Sequence, residues 1–169
     1  MTLMAMAAAA LLGLAAADQD VEIKGLHLCC GGCDSAAVKA LESGGAKGPT
    51  ADRAAGTVKF KVKDAKAAQK AFDALAAAGF HGDTGIKGLG LKDDSGVAPG
   101  KVKSLKLGGI HNCCGDCAKA LKAAVAKVAG VTGNDLANKA TTFTVTGDFD
   151  GAEVIKAINA AGYHAKLMK

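Results

Sequence analysis

The residues most able to do chemistry in this sequence are its six cysteines. They form two triplets of identical spacing: Cys29, Cys30 and Cys33, then Cys113, Cys114 and Cys117. A disulfide framework usually spreads its cysteines along the chain so that they join distant loops. Two tight clusters with the same spacing instead indicate two sites of the same kind. They would bind one ion each, or together hold one ion between them.

Each triplet contains a Cys-x-x-Cys pair, which brings two sulfurs onto one short loop. Thiolates select Cu(I), Zn(II) or heavier soft ions over magnesium and calcium. Gly31 and Gly115 are expected inside the turn, where the backbone must bend at low steric cost. Cys33 and Cys117 are expected in a first helical turn, where free amides and the helix dipole favour the thiolate. Two or three ligands leave the coordination sphere open, which suits transfer of a metal to a partner.

Thiol–disulfide exchange is the alternative function for the same pairs, because oxidoreductases also use Cys-x-x-Cys. An exported protein would meet an oxidising compartment in which such thiols tend to pair. Two features oppose this alternative. No Trp precedes the motif, and the order of elements described below differs from that of thioredoxin.

The elements around the triplets form an internal repeat. VEIKGLHLCCGGCDSAAVKAL in the first half matches LKLGGIHNCCGDCAKALKAAV in the second, and AAAGFHGD matches INAAGYHAK. A single-residue gap relates the two halves over most of their length. Residues 88–100 lie between them and have the Gly, Ser, Pro and Asp content of a flexible linker. The chain is therefore divided into domains at 18–87 and 101–169.

The apolar pattern predicts the same elements in each half. Apolar residues that alternate with polar ones predict a strand before each triplet. Apolar residues at helical spacing predict a helix after it. Gly44 and Gly130 are expected to end these first helices. After two further strands, Asp64 and Asp150 are expected to cap second helices. The order βαββαβ, with last strands starting near the aromatic residues at 80 and 163, predicts an α+β fold of two tandem ferredoxin-like domains.

The first 17 residues are predicted to be a signal peptide. Met4–Ala17 is apolar and uncharged, ends in small residues, and is shorter than the roughly twenty residues that a membrane span needs. No Lys or Arg precedes it, so an alanine-rich tail on a cytoplasmic protein is the alternative. We expect export to the periplasm or the medium, with no stable membrane insertion once the signal is removed.

Composition narrows the choice of partners. The net charge is +5, the lysines are scattered, aromatic residues make up 4%, and Trp is absent. This pattern excludes nucleic acid as the expected partner, because basic runs and stacking aromatics are both missing. A weakly basic surface favours an acidic docking partner.

The segments 27–33 and 111–117, at junctions of a strand and a helix, resemble the loop of the heavy-metal-associated domain family. That family includes copper chaperones, periplasmic mercury-binding proteins and modules of metal-transporting P-type ATPases. The resemblance implies the βαββαβ fold, a metal-binding role without catalysis, and a metal-transporting ATPase or other metal-handling protein as partner. It implies four metal ligands: Cys30, Cys33, Cys114 and Cys117.

The sequence departs from the family loop, Gly-Met-Thr-Cys-x-x-Cys, in both halves. Cys29 and Cys113 replace the Thr and are available as third ligands, whereas Leu28 and Asn112 replace the Met. Two-sulfur sites would favour copper(I), which is the ion we expect. Sites with three sulfurs, or with Cys and His, would be compatible with zinc, cadmium or mercury.

All four histidines recur at matched positions. His81 and His164 lie in the loop after the second helix, which in the family lies beside the metal loop, and His27 and His111 precede the triplets. We consider them as candidate accessory ligands, although surface or packing roles are the favoured interpretation.

Overall fold

The computed structural model describes residues 18–169 and contains two similar halves. The first consists of β1 (Gln19–Ile23), α1 (Gly31–Ser43), β2 (Lys47–Asp52), β3 (Thr57–Val62) and α2 (Ala65–Ala77). The second consists of β4 (Lys101–Gly108), α3 (Gly115–Val125), β5 (Val131–Asn134), β6 (Thr142–Asp150), α4 (Gly151–Ala160) and β7 (Lys166–Leu167).

Each half contains one antiparallel sheet. The strand orders are β1-β3-β2 in the first half and β5-β6-β4-β7 in the second. The second order is the complete ferredoxin-like arrangement, with the first and third strands of the half side by side. The predicted α+β class with two tandem ferredoxin-like domains is confirmed, although the first sheet lacks the last strand.

Small residues allow the two helices of the first half to lie close together. Ala37 and Ala71 are fully buried, beside the larger Phe72 and Leu75. A Cβ placed on Gly44 would lie 2.6 Å from the Ala71 Cα, so this helix end needs a residue without a side chain. Alanine-rich helices thus form a core through close approach of their backbones rather than through large side chains.

The helix ends agree with the sequence at three of four predicted positions. Asp64 accepts a hydrogen bond from the Ala67 amide, Asp150 accepts one from the Ala152 amide, and Gly44 caps α1. The prediction that Gly130 ends α3 is wrong, since that helix ends at Val125. Gly130 instead has φ +87°, and its α-carbon approaches the Asp148 carbonyl where β5 meets β6.

The prediction of a last strand starting near Phe80 is also wrong. After α2 the chain forms only an isolated bridge between Lys24 and Asp83, and Phe80 pairs with Tyr163 of the other half. Backbone groups that would have extended the first sheet are used between the halves. In the second half the last strand is short and begins at Lys166 rather than at Tyr163.

Residues 88–100 contain no helix or strand, yet several of them contact the rest of the chain. Gln69 donates a hydrogen bond to the Gly90 carbonyl at 3.2 Å, and the Gly151 amide donates to the Gly100 carbonyl at 3.1 Å. Asp94 lies 2.7 Å from His164 Nε2 and 2.6 Å from Lys166 Nζ.

The predicted signal peptide lies outside the described residues. Within residues 18–169, no helix has the length and apolar character to cross a bilayer.

Candidate metal centre

The two halves meet through residues that the repeat places at equivalent positions. The His81 amide donates a hydrogen bond to the Gly162 carbonyl at 3.1 Å. The His164 amide donates to the Gly79 carbonyl at 2.9 Å. Because these two contacts are counterparts in the repeat, the halves are related as in a twofold-symmetric dimer.

Gly79 and Gly162 place each half against the cysteine loop of the other. Both have φ +86°, a conformation that favours glycine. A Cβ on Gly79 would lie 2.1 Å from the His111 amide nitrogen, and a Cβ on Gly162 would lie 2.3 Å from that of His27. Neither contact leaves room for a side chain, so these two glycines set the distance between the halves.

The histidines lie in aromatic stacks at the same interface. His27 stacks on Tyr163 with ring centroids 4.7 Å apart, and His111 stacks on Phe80 at 4.3 Å. His81 and His164 stack on each other at 5.8 Å. Within the described residues, no histidine nitrogen belongs to a metal-ligand cluster, so the structure does not bring the predicted accessory ligands together with the sulfurs.

Docking of the halves brings all six cysteine sulfurs together. Cys29 Sγ lies 3.4 Å from Cys114 Sγ and 3.3 Å from Cys117 Sγ. Cys113 Sγ lies 3.4 Å from the sulfurs of both Cys30 and Cys33. All six are free thiols. The predicted pair of cysteine sites is therefore one continuous cluster.

The cluster contains two sets of four sulfurs, each with all its members within 4.8 Å of one another. One set comprises Cys29, Cys30, Cys33 and Cys113, and the other comprises Cys29, Cys113, Cys114 and Cys117. Cys29 and Cys113 belong to both sets. Four sulfurs at such distances can surround one tetrahedral soft ion.

Two helix N-termini begin at this cluster. Cys30 and Cys114 are the N-cap residues of α1 and α3, and Cys33 and Cys117 lie in the first turns, fully buried. Gly31 and Gly115, which we expected inside the turn, are the first helical residues, and neither has a positive φ. The exposed amides and the helix dipoles favour negative charge on the sulfurs.

The surroundings of the thiols shift their pKa values in different directions within the cluster. Burial, together with hydrogen bonds to neighbouring thiols, raises the pKa of Cys29 and of Cys113. The backbone amide of Cys117 lowers the pKa of Cys114. Burial raises the pKa of Tyr163, whose hydroxyl donates to the Cys117 carbonyl at 3.3 Å. A metal ion that binds these thiols displaces their protons.

The polar residues beside the loops differ between the halves. Asn112 is buried, and its Nδ2 donates to the carbonyls of Ala137 and Ala140, both at 2.9 Å. In the first half, Asp34 in the first turn of α1 pairs with Arg53. No repeated residue pattern in the sequence predicts this ion pair.

The sequence-based predictions do not include the contact between the two halves. Four of the residues that form it are Gly79, Phe80, Gly162 and Tyr163. A signal was present in the sequence, because Gly-aromatic-His recurs at 79–81 and 162–164. Its histidines are candidate accessory ligands, and all three residues of each motif contact the other half.

Comparison with protein families gives a match for the second half. The model of the heavy-metal-associated domain matches residues 108–164, which contain the second cysteine triplet. The second half of the chain is therefore similar to a heavy-metal-associated domain. In this domain the matched segment runs from the end of β4 to the loop after α4.

Solved structures similar to the chain include both single and paired domains. The N-terminal domain of PacS from Synechocystis PCC6803 is 26% identical, covering 40% of this chain and 100% of that one, with a TM-score of 0.37. Oxidised MerP from Ralstonia metallidurans CH34 is 26% identical, covering 40% and 97%, with a TM-score of 0.34. The N-terminal soluble domains of Bacillus subtilis CopA are 14% identical, covering 90% and 95%, with a TM-score of 0.33. No curated protein matches the chain.

Proposed function

We propose that this protein binds and sequesters soft metal ions at the six-cysteine cluster, without catalysing a reaction. The observation that carries the proposal is the pair of four-sulfur sets, each within 4.8 Å. Thiolates at this spacing bind soft ions and discriminate against magnesium and calcium. The heavy-metal-associated domain at residues 108–164 supports the same assignment.

Sequestration fits the geometry better than rapid delivery. Cys33 and Cys117 are fully buried, and their sulfurs lie 3.9 Å apart between the halves. The other four cysteines are partly exposed. An ion held by four sulfurs has no open position for a thiol of a partner protein, which would first have to displace one of the ligands. Closed four-ligand sites retain metal, whereas delivery requires an open position.

The number of sulfurs bears on which ion is bound. The resemblance of the loops led us to expect copper(I), which would use two or three sulfurs of the cluster. The sets of four support zinc(II) or cadmium(II), because tetrahedral coordination by sulfur is typical of these ions. We therefore propose a soft divalent ion for the docked halves and retain copper(I) as the competing ligand in the test.

Anaerobic titration of the reduced full chain tests the proposal. Zinc(II) and copper(I) are added separately, and bound ions are counted by native mass spectrometry. The control variant replaces four ligands with serine: Cys30, Cys33, Cys114 and Cys117. We expect tight binding by the natural chain and loss of binding by the variant. Absence of tight binding, together with reduction of insulin disulfides by the chain, would establish the thiol–disulfide alternative instead.

The location and partner are further parts of the proposal. We propose export of the mature chain, which N-terminal sequencing tests, since an intact Met1 would overturn it. We propose as partner a metal-transporting ATPase or another metal-handling protein with an acidic docking surface, complementary to the net charge of +5.

A further inference from the structure

We propose that the six cysteines form one binuclear site in which two soft divalent ions share the sulfurs of Cys29 and Cys113. This inference rests on the proposed metal binding and adds the number of ions, their ligands and the identity of the bridging residues. In this arrangement neither half contains a complete site. Each ion takes ligands from both halves of the chain.

The positions of Cys29 and Cys113 carry the inference. Cys29 Sγ lies 3.6 Å from Cys33 in its own half and 3.3 Å from Cys117 in the other. Cys113 Sγ lies 3.7 Å from Cys117 in its own half and 3.4 Å from Cys33 in the other. Each of these two sulfurs therefore contacts cysteines of both halves at similar distances.

The remaining cysteines form two terminal pairs. Cys30 and Cys33 have sulfurs 3.7 Å apart, and Cys114 and Cys117 have sulfurs 3.9 Å apart. Adding Cys29 and Cys113 to either pair gives one of the two four-sulfur sets. The sets are thus two tetrahedra with a common edge, and that edge joins the bridging residues.

The coordination number leads to the same result. Two tetrahedral ions need about eight ligand positions, and six thiolates fill them only when two of the sulfurs bind both ions. A thiolate sulfur has enough lone pairs to do so. Binding exchanges six thiol protons for two divalent ions, so the loaded cluster carries a charge of about −2. The N-termini of α1 and α3, which begin at the cluster, stabilise that negative charge.

Cadmium provides the test, because its NMR-active isotope reports each bound ion separately. The reduced full chain is loaded anaerobically, and native mass spectrometry counts the ions. We expect two ions per chain and two cadmium signals with scalar coupling through the shared sulfurs. The coupling is measured on the natural chain, so this test remains valid even if a variant fails to fold.

Substitutions within one loop distinguish bridging from terminal sulfurs. C29S removes a ligand from both ions, so both cadmium signals should change. C30S is the matched control, since it removes a ligand from only one ion and should leave the second signal in place. C113S and C114S test the same distinction in the other half. C113S should change both cadmium signals, and C114S should change only one.

Specific outcomes would overturn the inference. Two uncoupled signals, with C29S affecting only one, would mean two separate sites. A stoichiometry of one ion per chain, or of more than two, would also overturn it. In both cases the proposed function survives, because metal is bound. Failure to bind cadmium or zinc at all would instead refute the soft divalent ion that we proposed for the cluster.

Discussion

Leu28 and Asn112 occupy equivalent positions in the two halves, directly before the first cysteine of each triplet. Both are buried, but only Asn112 has a side chain that can donate hydrogen bonds, and it donates to two carbonyls of the loop between β5 and β6. The two cysteine loops are therefore held by different interactions, one apolar and one polar.

Replacing Asn112 with alanine should lower the free energy of unfolding by about 1–3 kcal/mol, because the loop loses both donors and a buried side chain. Asn138→Ala is the matched control, since Asn138 is exposed in the same loop, and its effect should stay within about 0.5 kcal/mol. Urea denaturation of the metal-free chain measures both. Equal effects would contradict the structural role of Asn112.

Acidification should destabilise the metal-free chain. Burial and the neighbouring His164 lower the pKa of His81 below its ordinary value of 6.5, whereas Asp93 and Asp83 act in the opposite direction. Below pH 6.5 the unfolded chain therefore binds more protons at this residue than the folded chain does. The free energy of unfolding should be retained above this pH and decrease as the pH falls below it.

Urea denaturation at several pH values measures this dependence. His81→Gln removes one titrating group and should reduce the slope below pH 6.5. An unchanged slope would show that His81 titrates equally in the folded and unfolded chains.

At the scale of the elements, the glycines after α2 and α4 fix how the halves dock. Gly162→Ala adds a Cβ that would lie 2.3 Å from the His27 amide nitrogen, so the halves must move apart. We expect the variant to lose the coupling between cadmium signals and to become less compact in small-angle X-ray scattering.

Gly45→Ala is the matched control for this prediction. Gly45 has φ +88°, close to the φ of Gly162, yet its Cβ would meet no atom within 4 Å. The control therefore has the same backbone strain, worth about 1–2 kcal/mol, without the clash between the halves. If both variants separate the halves equally, strain rather than contact explains the effect.

The elements themselves were largely predictable, because they depend on local patterns. Alternation of apolar residues predicted β3, and a single carboxylate predicted the start of α2 at Asp64. The errors occurred where a long-range contact decided the structure. Gly130 has its left-handed φ beside the Asp148 carbonyl and does not end a helix. Phe80 and His81 pair with the other half rather than with their own sheet.

At the scale of the whole molecule, metal should hold the halves together. An ion present at a hundred times its dissociation constant stabilises the form that binds it by about 2.7 kcal/mol. The amides of His81 and His164, which donate across the interface, should exchange slowly with deuterium in the loaded chain and faster after chelation.

The sheet interior is the internal control for this experiment. The amide of Phe60, in β3, should keep its protection when metal is removed, because β3 is the central strand of its sheet. Simultaneous loss of protection at Phe60 and at the interface would mean that chelation unfolds the first half instead of separating the halves.

The sequence by itself determined the ligand type, the two triplets, the repeat and the order of elements. These follow from residue chemistry and short-range periodicity, which act within a few residues of the chain. Only the tertiary structure decided that the triplets form one cluster and that Cys29 and Cys113 lie between both sulfur pairs. That result depends on the contacts of Gly79 and Gly162 across the interface, and no local pattern encodes the distance between two domains.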